Sequence, residues 1–172
     1  MHHGRVSSAD AIYFVTYCLK SREPALTTKP VADDLLRFAQ AMDGSKDTFT
    51  YAFTVMPDHC HWLFQLTGGL SLSQVVAKFK FLSRHLLAAR GLSWQRDFYD
   101  HRLRPEEAPE DYALYVFLNP YRAGLLPSDA AWPWWWSAQL QSLHFPAPLN
   151  PSGGPPAEWI ELAVPASVRH GE

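Results

Sequence analysis

The stretch Thr48-Phe49-Thr50-Tyr51-Ala52-Phe53-Thr54-Val55-Met56-Pro57-Asp58-His59-Cys60-His61-Trp62-Leu63-Phe64-Gln65-Leu66 decides the fold. Phe49, Tyr51, Phe53 and Val55 alternate with Thr48, Thr50, Ala52 and Thr54, the period-two signature of a half-buried strand. Pro57-Asp58 interrupts that pattern with turn residues, so His59 to Leu66 is the returning arm of a hairpin. On the N-terminal side, Val31, Leu35, Leu36, Phe38, Ala39 and Met42 fall close to helical spacing, and Asp43-Gly44-Ser45 stops the helix they predict. Before it, residues 11–20 form an apolar, β-branched and aromatic run too short for a typical helix, which predicts a mostly buried strand.

On the C-terminal side, Gly68-Gly69 closes the hairpin, and Ser71 opens a helix whose apolar positions are Leu72, Val75, Val76, Phe79, Leu82 and Leu86. Phe98 to Arg104 predicts a fourth strand. Pro109-Glu110-Asp111 then opens a third helix, with proline and acids where a helix N-terminus favours them, and Asn119-Pro120 is its expected end. The order β-α-β-β-α-β plus a helix predicts an α+β, ferredoxin-like fold: an antiparallel sheet with helices covering one face. These elements assign residues 1–130 to one domain. From residue 131 the composition changes to Trp132-Pro133-Trp134-Trp135-Trp136 and a series of prolines, so 131–172 is expected to be a C-terminal extension without regular structure of its own.

A chain of 172 residues is the size of one domain and too short for two full ones. No stretch approaches the roughly 18 apolar residues that a membrane span requires, which excludes a spanning protein on the sequence pattern. Met1-His2-His3-Gly4-Arg5 leads into no apolar run with a small-residue cleavage site, so a cytoplasmic location is expected. Cys18 and Cys60 sit among apolar or aromatic residues, as packing residues of a reducing compartment do. A net charge of -2 argues against a protein that coats nucleic acid, yet the charge is segregated. Between Asp58 and Asp97 there is no acidic residue, while Lys78, Lys80, Arg84, Arg90 and Arg96 all lie there, either as a DNA-binding surface or as an ordinary solvated helix face.

Residues two apart in a strand share a face, so His59 and His61 can chelate one cation while Cys60 packs on the other side. Taken alone a His-x-His pair is a weak signal, since two nearby histidines are more often surface or hydrogen-bonded residues that bind no metal. On the third helix Tyr112, Tyr115 and Asn119 share one face. A phenol is a poor nucleophile at neutral pH unless its target is a phosphate whose charge has been partly neutralised by a metal. Tyr115 read by the helix alone is an amphipathic surface residue, and Asn119 a stop before Pro120.

Three segments carry a resemblance: Val55-Met56-Pro57-Asp58-His59-Cys60-His61-Trp62-Leu63, Trp94-Gln95-Arg96-Asp97-Phe98-Tyr99-Asp100, and Tyr115-Val116-Phe117-Leu118-Asn119-Pro120-Tyr121-Arg122-Ala123-Gly124-Leu125. Together with Trp132-Pro133-Trp134 they resemble the REP-associated tyrosine transposases, bacterial relatives of the single-tyrosine insertion-sequence transposases in the His-hydrophobic-His (HUH) endonuclease superfamily. Asp58, where that family more often has Asn, and the small Cys60 depart from its pattern without removing a catalytic group. The resemblance implies His59, His61 and Asn119 as metal ligands, Tyr115 as nucleophile, residues 1–130 as the catalytic domain, and Mg²⁺ or Mn²⁺ as cofactor. Ligand softness alone would choose otherwise for imidazole. It also implies cleavage and rejoining of single-stranded or hairpin DNA through a 5′-phosphotyrosine, by a monomer or homodimer associated with the nucleoid.

In that mechanism Lys78, Lys80, Arg84, Arg90 and Arg96 hold the flanking backbone, and Trp94 or Trp134 to Trp136 either stack on bases or pack the tail onto the domain. Two rivals stand beside it. One is a domesticated hairpin-binding protein that does not cut; the other is a hydrolase in which His59 and His61 hold Zn²⁺ and water attacks.

Overall fold

The hairpin forms as the sequence predicts, with β2 (Thr48–Val55) and β3 (His59–Leu66) paired antiparallel about the Pro57-Asp58 turn. The computed structural model describes residues 10–146 and 148–170, so Met1 to Arg5, read above for a leader, lie outside the described residues. Around the hairpin stand β1 (Ile12–Cys18), α1 (Lys29–Gly44), α2 (Leu72–Ala88), β4 (Tyr99–Arg102), α3 (Pro109–Arg122) and a two-residue β5 (Trp135–Trp136). The sheet order is β4-β1-β3-β2-β5, antiparallel throughout, the ferredoxin-like arrangement with one strand added at the edge. Among the described residues no helix is long and apolar enough to cross a membrane.

The period-two reading of β2 slips at one point. Thr50 pairs with Phe64 and Ala52 with Leu63, so Tyr51 is the extra residue of a β-bulge. Before the bulge the threonines are the buried residues and Phe49 is exposed; after it Phe53 and Val55 turn inward. The buried threonines are satisfied: Thr48 and Thr50 donate to the Asp43 carboxylate at 2.6 and 2.8 Å, and Trp62 donates to Thr50 Oγ1 at 2.9 Å.

The two helices of the βαββαβ unit cover one face, where Val15, Tyr17, Trp62 and Phe64 of the strands meet Leu35 of α1 and Phe79 of α2. Ser71 starts α2 with a reciprocal cap, its hydroxyl accepting from Gln74 N–H and its own N–H donating to Gln74 Oε1. The added helix α3 lies against the opposite face, on Phe14, Ala52 and Leu63. It does not end at Asn119-Pro120 but runs to Arg122 with Pro120 inside it. Proline so near the C-terminus forfeits one hydrogen bond, and the burial of Pro120 and Tyr121 compensates. The actual stop is Gly124 at φ +70, where Leu125 N–H bonds Pro120 C=O and Gly124 N–H bonds Tyr121 C=O.

Described residues of the segment after 131 pack against the domain at several points. Trp135 and Trp136 pair with Thr54 and Phe53 of β2, and Arg122 of α3 donates to the Ile160 and Leu162 carbonyls at 3.0 and 2.7 Å. Its only further regular structure among the described residues is three 3₁₀ turns.

Candidate active site

Strand register builds the site. Thr16 stands opposite His61 and Cys18 opposite His59, all on the sheet face that α3 covers, while Cys60 is buried in the opposite core. The two imidazoles converge, with Nε2 of His59 3.1 Å from Nε2 of His61. Each is fixed from behind: Asp58 Oδ1 lies 2.6 Å from His59 Nδ1, and Thr16 Oγ1 lies 2.9 Å from His61 Nδ1. An ionised carboxylate only accepts, so His59 carries its proton on Nδ1 and turns a lone pair on Nε2 toward its neighbour when neutral.

His61 is 1 % exposed, and burial, with His59 beside it, holds its pKa well below the ordinary histidine value against the hydrogen bond it makes to Asn119. It is therefore neutral at pH 7, as a metal ligand must be. Two nitrogens bound to one ion at about 2.1 Å each stand roughly 3.0–3.4 Å apart, so the imidazole pair fits a single cation. Among the described residues no group of three or more His, Cys, Asp and Glu side chains is placed to hold a metal, and the Asn119 amide, hydrogen-bonded to His61, stands as the third donor beside the imidazoles. Two imidazoles and an amide oxygen would suit a divalent cation, and the Cys18 thiol lines the same cavity.

α3 brings the phenol to this pair. The ring of Tyr115 packs edge-on to His61 at 5.8 Å between centroids and to Phe14 at the same distance, and Phe14 stacks on His61 at 5.4 Å. The other tyrosines of α3 are committed elsewhere. Tyr112 stacks on His101, donates to Glu107 Oε1 at 2.8 Å and bonds Ser167; burial first, then Glu107, push its pKa up to about 12 against that Ser167 bond. Tyr121 donates to Ala130 C=O at 2.8 Å. A cavity of about 340 Å³ opens over the imidazoles, lined by Thr16, Cys18, Arg22, Met56, His59, His61 and Asn119; Tyr115 touches His61 from outside this lining. A larger one, about 520 Å³, lies between Tyr112 at the start of α3 and Leu162 to Ala166, and holds neither histidine nor Tyr115.

The five basic residues separate. Lys80, Arg84 and Arg96 line a second cavity of about 390 Å³ with Leu87, Leu92 and Trp94, joined to the end of β1 by Gln95 N–H donating to Cys18 C=O. Lys80 donates to the Gln95 and Arg96 carbonyls, and Arg84 lies over the exposed Phe81 ring at 4.2 Å. Lys78 is paired with Asp47, and Arg90 caps α2 through Leu86 C=O. The tryptophans pack: Trp94 lies against Tyr17 and Phe79 and donates to Ser83, Trp134 donates to Asp33, and Trp135 meets Phe117. Sequence reasoning missed Thr16, Arg22 and Met56 as lining residues and Asp58 as a partner of His59. Only Asp58, adjacent to the motif, carried a local signal.

The family model described as "Transposase IS200 like" matches residues 7–103, more than half of the chain, including both histidines and stopping before α3. A protein of Haemophilus influenzae described as a REP-associated tyrosine transposase is 24% identical over 141 residues, covering 72% of this chain and 77% of that protein. A REP-associated tyrosine transposase solved bound to a REP hairpin superposes with a TM-score of 0.67 at 21% identity, over 96% of this chain and 92% of that one.

Proposed function

The chain belongs to the IS200-like transposase family, and from that premise we propose that it cleaves and rejoins single-stranded DNA with Tyr115 as nucleophile beside a divalent cation held by His59, His61 and Asn119. The observation that carries this reading is the placement of the Tyr115 ring 5.8 Å from that of His61, on the face where both imidazoles converge. When bound, the cation, Mn²⁺ or Mg²⁺, polarises the scissile phosphate and offsets its charge.

Tyr115 Oη attacks phosphorus in line; the P–O bond to tyrosine forms as the bond to the 3′-oxygen breaks. The phenol loses its proton to solvent and the departing 3′-oxygen takes one up, leaving a 5′-phosphotyrosine and a free 3′-hydroxyl. Attack by a 3′-hydroxyl reverses the step and rejoins the strand. Asp58 and Thr16 hold the imidazoles in the tautomer and orientation this requires, and Phe14 wedges His61 against Tyr115 so that neither ring must reorganise. Lys80, Arg84 and Arg96 hold the flanking backbone at the neighbouring cavity, while Lys78 and Arg90, tied to Asp47 and to α2, contribute charge only.

The relatives support as substrate a short palindromic hairpin of the REP type with single-stranded flanks. One chain supplies all four site residues, so a monomer suffices, and the reaction places the protein with the DNA in the cytoplasm. The test is an SDS-resistant protein–DNA adduct on a hairpin oligonucleotide with Mn²⁺ or Mg²⁺. The wild type forms it; Tyr115→Phe and His59→Ala do not. Hairpin binding without any adduct would mean a binding protein that has lost the reaction, and strand cleavage that survives Tyr115→Phe would mean a water nucleophile.

A further inference from the structure

The turn after β1 is a plain connection by sequence, yet Arg22 within it sits at φ 58, a left-handed conformation that non-glycine residues rarely adopt. Its N–H donates to Leu19 C=O at 3.2 Å, which closes the turn and throws the side chain back over the end of the strand. There Arg22 Nε lies 2.9 Å from Asp58 Oδ2, and its guanidinium also hydrogen-bonds the Cys18 thiol. Asp58 thus bridges two groups, holding His59 Nδ1 with one oxygen and Arg22 with the other. Arg22 lines the same cavity as His59, His61 and Asn119.

A surface ion pair of a half-exposed arginine contributes little by itself and does not account for a strained backbone. The electrostatics of the cavity do. Asp58 is needed to orient His59, but an uncompensated carboxylate beside the cavity would repel an incoming phosphate. Arg22 cancels that charge, and Asp58 and Cys18 engage only part of a fork of five N–H donors whose geometry matches a phosphate's oxygens.

We propose that Arg22 binds the scissile phosphate and neutralises the charge that builds on its non-bridging oxygens, with Asp58 as the positioning residue that aligns Arg22 and His59 together. Arg22 makes and breaks no covalent bond and transfers no proton; the bonds exchanged are those of the tyrosine attack. The inference rests on the tyrosine-transfer reading above and assigns within it a catalytic residue outside the histidine and tyrosine motifs.

The test uses the full chain and a hairpin oligonucleotide carrying either a normal phosphodiester or an uncharged methylphosphonate at the scissile position. Adduct formation is timed at saturating DNA for the wild type, Arg22→Gln and Arg22→Lys, with thermal melting of each. On the diester, Arg22→Gln should be slower by roughly 10²-fold, the loss typical of one preorganised donor at developing charge, and Arg22→Lys should fall between it and the wild type. On the methylphosphonate, which lacks the charge to be neutralised, the deficit should shrink to within about threefold. An Arg22→Gln protein as fast as the wild type on the diester, or equally slowed on both linkages, overturns the assignment. Should Arg22→Gln fail to fold, the same comparison of linkages is made with Arg22→Lys. A wild type that forms no adduct defeats the tyrosine reading itself, whereas a wild-type adduct undiminished in the variants defeats Arg22 alone.

Discussion

The two faces of the sheet are cut from the same strands and differ in kind. Toward α1 and α2, β1 and β3 present Tyr13, Val15, Tyr17, Cys60, Trp62 and Phe64, all buried in a core of interlocking rings such as Tyr17 on Phe79 at 5.0 Å and Trp62 on Phe79 at 5.3 Å. Toward α3, the alternate residues include Phe14, Thr16, Cys18, His59, His61 and Leu63, so polar and apolar groups are mixed. A face that buries a neutral histidine beside a threonine gains less from desolvation than one lined with rings. The opposite core lets the sheet carry such a face, and it separates the residues that hold the fold from those proposed to act.

That separation can be broken by substitution. Tyr115→Phe on the α3 face should lower adduct formation by more than about 10³-fold while shifting the unfolding midpoint little, since only a hydroxyl is lost. Loss of folding stability in step with activity would erase the distinction between faces. Phe79→Ala on the other face should do the reverse, costing about 3–5 kcal/mol in chemical denaturation with the cleavage rate per folded molecule unchanged.

Acid sharpens the contrast further. An unfolded histidine binds its proton near pH 6.5, whereas His61 when folded binds one only at much lower pH. Its lowered folded pKa means the native state is disfavoured as pH falls below about 6.5, by up to about 1.4 kcal/mol per pH unit until the folded pKa is reached, and the effect is absent above pH 7. His61→Gln should lack that part of the acid slope in denaturant titrations from pH 7 to 5, and an unchanged slope would show that His61 is not held neutral. The smallest effect belongs to the aromatic core. The Tyr17 hydroxyl is buried without a hydrogen-bond partner among the described residues, so Tyr17→Phe should stabilise the protein by about 1 kcal/mol, read as a raised denaturant midpoint at constant slope.

How much of this the chain discloses before folding depends on how local each feature is. The βαββαβ order, the shared face of His59 and His61 and the inward Cys60 follow from periodicity, because side chains two apart in a strand have no choice of side. The bulge at Tyr51 does not, since apolar residues flank it on both faces and an alternating pattern reads the same until the slip. Pro120 misleads in another way: proline marks a helix end only where burial does not compensate its missing hydrogen bond, and Gly124 was the truer signal. The partners of the imidazoles are hidden for a third reason. Thr16 and His61 are 45 residues apart and meet only through the β1–β3 register, and Arg22 reaches Asp58 through a left-handed turn that no local pattern announces. That the tryptophans after residue 131 pack the tail onto the domain was one of the two readings the sequence offered, but the β2 edge that Trp135 and Trp136 extend was not legible, because it is built from distant strands.

The most direct measurement is the identity of the amino acid that carries the DNA. α3 holds Tyr112, Tyr115 and Tyr121 within three turns, and only Tyr115 faces the imidazole pair. Peptide mass spectrometry of the nuclease-trimmed adduct should place the nucleotide mass on Tyr115 alone. A nucleotide on Tyr112 or Tyr121, or cleaved strands with no modified peptide, would contradict the account.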